Sequence, residues 1–315
     1  MRLDLHVHLA AAGVHGAELS DAFRRSVAYR FLLRSLGLPR GDDGALTEAY
    51  AARVVQAAET ARELDGCVVL ALDRPHSEVG LPLPGDLFVG NRVAAEVCRK
   101  SPRLWLGASV HPYRQDALEA LDEARALGAV LVKWLPNVQR IDPASQRCRP
   151  FYRRLRELGL PLLSHTGREH TIPRWRQALG DPARLESALA EGVTVIAAHA
   201  GTGGERGDLA TVVDLARRHP RFFVECSGCW TPGRFGELRE LLSIAELRDR
   251  WAFGSDFPVP VFWPLLWGRS DPALRRRGRE AENPLDARAL AALASGLPAE
   301  AFERSARLLG PRDGV

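Results

Sequence analysis

Residues 3–9 read Leu3-Asp4-Leu5-His6-Val7-His8-Leu9, and the fold turns on this stretch. It is short and almost continuously apolar, the pattern of a strand buried on both faces. The two-residue period of a strand turns His6 and His8 to the same side and Val7 to the other. Two imidazoles side by side are half of a metal site. A single histidine near a strand end is more often a hydrogen-bonded loop residue, so the pair gains meaning only from the rest of the chain.

Seven further runs of the same kind follow, at residues 67–73, 105–111, 130–135, 161–166, 194–200, 222–227 and 251–256. Between them lie stretches with helical spacing, at 47–64, 91–100, 116–127, 149–158, 184–191, 208–218 and 232–249. Gly128, Gly159 and Gly192 fall where helices must end before the next strand. Near-continuous apolar strands separated by helices predict a parallel sheet. Eight such units in 315 residues predict an α/β fold, a closed (β/α)8 TIM barrel, in one domain over 1–315. A helix-like stretch at 18–36 makes residues 10–45 a helical cap inserted after the first strand. Residues 285–310 read as closing helices, with Pro298 at a start position.

In such barrels the chemistry sits at the C-terminal ends of the strands. Five of the nine histidines fall there: His6 and His8 on strand 1, His111 on strand 3, His165 on strand 5 and His199 on strand 6. Strand 4 supplies Lys133 and strand 8 supplies Asp256. Each has a bland reading, and Asp256 before Phe257-Pro258 could simply start a turn. Together they form a metal-centred constellation. His-x-His on strand 1, His on strands 5 and 6 and Asp on strand 8, with the phrases "SHTG", "AAHAG" and "FGSDFPVP", resemble the amidohydrolase superfamily. The phrases are similar to its amidohydrolase-related branch, which also contains aminocarboxymuconate-semialdehyde decarboxylase. The resemblance spans His6 to Asp256. It implies a barrel binding one or two divalent metals, usually Zn2+, and a hydroxide nucleophile.

Lys133 and Lys100 are the only lysines in a chain whose basic residues are otherwise arginine. Lys133 could be a lysine whose ammonium reaches solvent at the rim. Facing metal dications, it would instead lose its proton and react with carbon dioxide, giving an anionic carbamate that bridges two metals. Arginine could not, because it stays protonated. In binuclear relatives of the superfamily a carbamylated lysine lies on strand 4, one unit before the strand 5 histidine, as Lys133 precedes His165. With two metals, His6, His8 and Asp256 would hold one and His165 and His199 the other. With one, His6, His8, His165 and Asp256 would hold it and His199 would act as an acid/base or electrophilic group. In both cases Asp256 is the candidate proton acceptor. Asp4 is either a partner behind the ligands or a packing or capping residue.

Residues flanking these positions should shape the pocket: His111, Trp134, Arg140, Arg168, His170 and Trp230. Arg168 and His170 either bind an anionic group or face water. The run "VPVFWPLLW" after Asp256 is either an apolar wall or a hinge to the final helices. The expected function is hydrolysis of a small carbonyl compound by a metal-activated hydroxide. A decarboxylase or hydratase on the same scaffold is the alternative, and a non-catalytic metal-binding protein is less well supported because all the expected ligands are present.

Composition narrows the rest. A 46% apolar and 26% charged chain is ordinary for a globular protein. Five scattered cysteines form no disulfide framework, and Cys226 and Cys229 lack the second pair a zinc knuckle needs. No leader precedes strand 1 and no apolar run suits a membrane span, so a cytoplasmic protein is expected. The net charge of +4 leaves Arg275, Arg276, Arg277 and Arg279 as the one dense basic cluster, read as a solvated loop rather than a nucleic-acid patch. A small-molecule substrate is the expected partner, and homo-oligomerisation is compatible with the sequence.

Overall fold

The computed structural model describes residues 1–14, 16–173, 176–205 and 208–310. Eight parallel strands form one sheet: β1 Leu3–His8, β2 Gly66–Leu70, β3 Leu104–Ala108, β4 Ala129–Trp134, β5 Leu162–His165, β6 Val195–Ala198, β7 Phe222–Glu225 and β8 Trp251–Ala252. Each pairs with its neighbours in chain order. The chain after β8 runs on beside β1. Leu5 N–H donates to the Phe253 carbonyl at 3.0 Å, His8 N–H donates to the Phe257 carbonyl at 2.9 Å, and Val7 bridges Phe257 in parallel. These contacts close the sheet into the expected TIM barrel.

Two apolar layers follow from strand alternation. Leu5, Val68, Leu70, Leu131, Leu163, Ile196, Ala198 and Ala252 pack on one another inside the barrel. The alternate residues, such as Val69, Val132, Val195 and Val224, join the larger layer beneath the helices. Helices Asp43–Thr60, Asn91–Cys98, Ala117–Ala126, Arg149–Glu157, Glu186–Ala190, Asp208–Arg218 and Phe235–Leu242 follow β1 to β7 in turn. Gly128, Gly159 and Gly192 take positive φ after their helices, as expected. Among the described residues no helix is long and apolar enough to cross a membrane.

Several local expectations need correction. The stretch 18–36 is not one helix. Glu18–Leu19 pairs antiparallel with Leu87–Phe88, and helices Asp21–Arg25 and Val27–Leu36 follow. The break comes from two serine caps: Ser20 Oγ accepts from Phe23 N–H and Ser26 Oγ accepts from Tyr29 N–H, so Ser26 ends one helix and starts the next. Likewise 232–249 contains only helix Phe235–Leu242 and a short 3-10 turn at Ala245–Leu247. The arginine cluster is not a loop. It lies on helix Pro272–Glu280, where the Asp271 side chain accepts from Leu274 N–H and Pro272 fits the first turn. Helices Pro284–Ala294 and Glu300–Leu308 then close the chain as expected.

Candidate metal centre and active site

β1 delivers His6 and His8 to the C-terminal mouth, but not by strict alternation. Its pairing with β2 shifts between Asp4 and Val7, so Leu5 falls in the inner layer below the histidines. His6 Nε2 lies 3.1 Å from His8 Nε2 and 3.4 Å from Asp256 Oδ1, and His8 Nε2 lies 3.0 Å from the same oxygen. One potential ligand atom from each of the three falls within 4.8 Å of the others. Asp256 reaches this position with φ of 58°, rare for a residue with a side chain. Burial opposes its ionisation, but His6, His8 and His199 around it hold the carboxyl well below the usual range. His6 is fully buried and is pulled down to about 4, chiefly by burial, so it is neutral and able to ligate. His8 is the open member, with 38% of its side chain exposed.

The second half of the cluster comes from β4 to β6. His199 Nε2 lies 3.0 Å from His165 Nδ1. By alternation after Ile196 and Ala198, His199 should point outward. β6 stops at Ala198, and φ of 62° at His199 turns its ring inward, where Nδ1–H donates to the Ser227 carbonyl at 2.7 Å. Lys133 shares the inward face of β4 with Leu131 and is 2% exposed, which excludes an ammonium reaching solvent. Its Nζ and the Nε2 of His165 are buried without a hydrogen-bond partner. Burial lowers the Lys133 ammonium to about 8, against the pull of Glu225, Asp256 and Glu169.

Glu225, at the end of β7, is a site residue that the sequence reading missed. Its Oε1 accepts from His6 Nδ1–H at 3.0 Å, from the Ser227 hydroxyl at 2.6 Å and from His199 N–H at 3.2 Å. His6 Nε2 is thereby left as the nitrogen with a free lone pair. Ser227 Oγ lies 3.0 Å from His6 Nδ1 and 2.9 Å from His199 Nδ1, tying the two halves together. The available signal was an acidic residue at a strand's C-terminal end. Two glycines make room: a Cβ on Gly254 would collide with Glu225 Oε2, and one on Gly228 would lie 2.5 Å from Asp256 Oδ2. Glu169, also missed, lies 3.8 Å from His165 Nδ1 in the loop after β5. Asp4 resolves as a cap, since its Oδ1 accepts from the backbone N–H groups of His6 and Ser255 at 2.9 Å each.

The predicted pocket residues fare less well. Trp134 follows Lys133 and so faces outward. It is fully buried against Phe151 and Tyr152, and its Nε1–H donates to the Val110 carbonyl. His111 is also fully buried, with Nε2 bonded to the Gln139 carbonyl and Nδ1 accepting from Tyr113 N–H. Neither is brought to the cluster. Arg168 is exposed and paired with Glu205 at 2.6 Å, and His170 is exposed. Arg140 is half-buried with φ of 61°, ending the short helix Pro136–Gln139. Trp230 is buried and donates to Ser295 Oγ. The segment after Asp256 is a connector: Trp263–Leu266 forms a 3-10 turn, and Phe262 and Trp267 are exposed. Cys226 and Cys229 are buried free thiols just past β7.

Comparison with known proteins agrees with this architecture. A solved structure of an uncharacterized TIM-barrel protein from Bordetella bronchiseptica is 17% identical, with a TM-score of 0.61 and 98% of each chain covered. A proposed 2-pyrone-4,6-dicarboxylic acid hydrolase from Pseudomonas putida is 16% identical, with a TM-score of 0.55 and 96% of each chain covered. An amidohydrolase 2 from Bifidobacterium longum subsp. infantis is 16% identical, with a TM-score of 0.51, covering 97% of this chain and 96% of that one. At these identities the likeness is one of fold. No curated protein matches the chain. The amidohydrolase family model matches residues 3–303, from the first residue of β1 into the last helix, and the chain therefore belongs to the amidohydrolase family.

Proposed function

We propose that the protein is a metal-dependent hydrolase of a small carbonyl compound: an amide, a lactone or another ester. The observation that carries this reading is the grouping of His6, His8 and Asp256 beside the His165–His199 pair, with Lys133 Nζ and His165 Nε2 buried and unpartnered. Unpaired buried polar atoms are costly, and these sit among neutral imidazoles and an ionised carboxylate, a donor set suited to Zn2+. His6, His8 and Asp256 would hold one cation, and His165 and His199 a second. Lys133 would join them as a carbamate, formed when its neutral amine adds to the carbon of carbon dioxide and releases a proton. A divalent cation there would acidify a water molecule and polarise the carbonyl under attack.

The chain's own residues supply the rest. Asp256, kept ionised, accepts the proton of the attacking water and returns it to the leaving group. Glu225 and Ser227 fix the tautomers and ring orientations of His6 and His199. His8, the exposed member, marks the side from which substrate enters.

Metal analysis with intact-mass measurement of gently handled protein tests the reading. Bound divalent metal plus the mass of one carbon dioxide on Lys133 is the expected result, and a chain that takes up no metal overturns it. A panel of lactones, amides, esters and aromatic carboxylic acids then separates hydrolysis from decarboxylation or hydration by its products. Glu225→Gln should weaken Zn2+ binding about 10–100-fold, because the amide withdraws the anionic acceptor from His6. Competition against a chromogenic chelator measures this, and unchanged affinity would remove Glu225 from the role.

A further inference from the structure

Helix Pro284–Ala294, one of the helices that follow β8, carries a buried cation. Arg288 is 7% exposed, and among the described residues its hydrogen bonds all go to backbone carbonyls. Nε donates to Val259 at 3.0 Å, Nη2 to Val259 at 2.6 Å and to Pro258 at 3.0 Å, and Nη1 to Pro284 at 2.7 Å. The guanidinium also sits over the Phe257 ring, 5.2 Å from its centroid. Asp4 and Asp256 lie near enough to favour the charge, but among the described residues no carboxylate bonds to it. Burying a guanidinium in this way is expensive, and its planar fork suits it to fixing a geometry.

What it fixes is the turn that begins at Asp256. A positive φ in a residue with a side chain is strained and persists only when its surroundings over-determine it. Here Val259 N–H donates back to the Asp256 carbonyl at 2.7 Å, and Phe257 N–H donates to Ser255 Oγ at 3.0 Å. Arg288 grips the carbonyls of Pro258 and Val259. The helix bearing it is itself pinned. Asn283 Nδ2 donates to the Ala57 carbonyl and to Thr60 Oγ1, and the Asp286 carboxylate accepts from Arg62 and Glu63 N–H at 2.8–3.0 Å. Opposite, the Tyr50 hydroxyl donates to the His8 carbonyl at 3.0 Å. The two strand ends that meet as His8 and Asp256 are thus each anchored from the helical layer.

We propose that Arg288 is a positioning residue of the metal centre, holding the turn at residues 256–259 so that the Asp256 carboxylate faces His6 and His8. The role assigned to Asp256 rests on the function proposed above. Helix Pro284–Ala294 then supports the metal centre as well as closing the chain.

Arg288→Met and Arg288→Lys test this, compared with the wild type for Zn2+ affinity by chelator competition and for amide exchange of the metal-free protein. Arg288→Met should lose about 10–100-fold in Zn2+ affinity. Its amides at residues 254–262 should exchange at least about tenfold faster, while those of β2 to β5 keep wild-type protection. Arg288→Lys, which keeps the charge with fewer donors, should fall between, and it serves alone should the methionine variant not fold. Wild-type affinity with wild-type exchange at 254–262 would overturn the proposal. So would faster exchange spread evenly over the barrel, which marks a general structural role. A wild type that takes up no Zn2+ would defeat the metal reading, and the exchange comparison would still decide whether Arg288 holds the turn.

Discussion

Asp256→Asn is expected to lower kcat by about a hundred- to ten-thousand-fold, the range that a positioned general base contributes. Asparagine keeps the shape and the backbone turn, in which the Asp256 carbonyl accepts from Val259 N–H. It removes the anion that His8 Nε2 meets at 3.0 Å, and with it the carboxylate that would take the proton. A variant that binds metal and turns over the wild-type substrate within threefold of the wild-type rate would refute the role of Asp256. The metal-free proteins offer a second readout. In the folded state the neighbouring histidines hold the Asp256 carboxyl well below the ordinary carboxylate range, against the effect of burial. The folded state therefore gains stability from the ionised group above the unfolded value and loses it as pH falls through the folded one. Metal-free Asp256→Asn should be less stable than the wild type near neutral pH, and the gap should narrow in acid. Thermal melts across that range follow it.

Much of the side-chain cluster was legible because strand physics is simple. A period of two set His6 beside His8, and buried strands are apolar enough that a histidine or aspartate at the end stands out. The same period that turns Lys133 inward turns Trp134 outward, where the ring packs on Phe151 and Tyr152. Three features lay beyond it. The register shift in β1 breaks alternation at Leu5, so Asp4 became a backbone cap. The left-handed backbone at His199 and Asp256 reverses where a side chain points, and neither residue type announces it. Arg288 looks like any arginine on a helix; only the tertiary fold reveals that its donors meet the carbonyls of Pro258 and Val259. Glu225 is different: the sequence displayed it, but a strand valued for apolar content hid a single acid.

Lys133→Met should make the metal-free protein more stable while emptying part of its metal site. The ammonium is buried, unpartnered and lowered from 10.5 to about 8. Between those values the unfolded chain binds the extra proton, so stability rises with pH across the window, and below pH 8 the folded state carries the full cost. At about 1.4 kcal/mol per pH unit, the charged lysine costs on the order of 3 kcal/mol at neutral pH. Methionine fills similar space without the charge, and the metal-free variant should melt several degrees higher at pH 7, the gain shrinking toward pH 10. A residue that costs stability and contacts no partner is retained for another reason, and the amine's depressed basicity supplies one. Near pH 8 an appreciable share of it is neutral and able to take up carbon dioxide. On the bridged reading the variant should therefore lose the added mass of carbon dioxide, bind less metal than the wild type, and lose most of its hydrolytic rate. Equal metal content in the two proteins, with no carbon dioxide on the wild type, would return the site to the single-metal arrangement, with His199 as the acid/base group. An unchanged melting temperature at pH 7 would show that Lys133 finds a partner for its charge in solution.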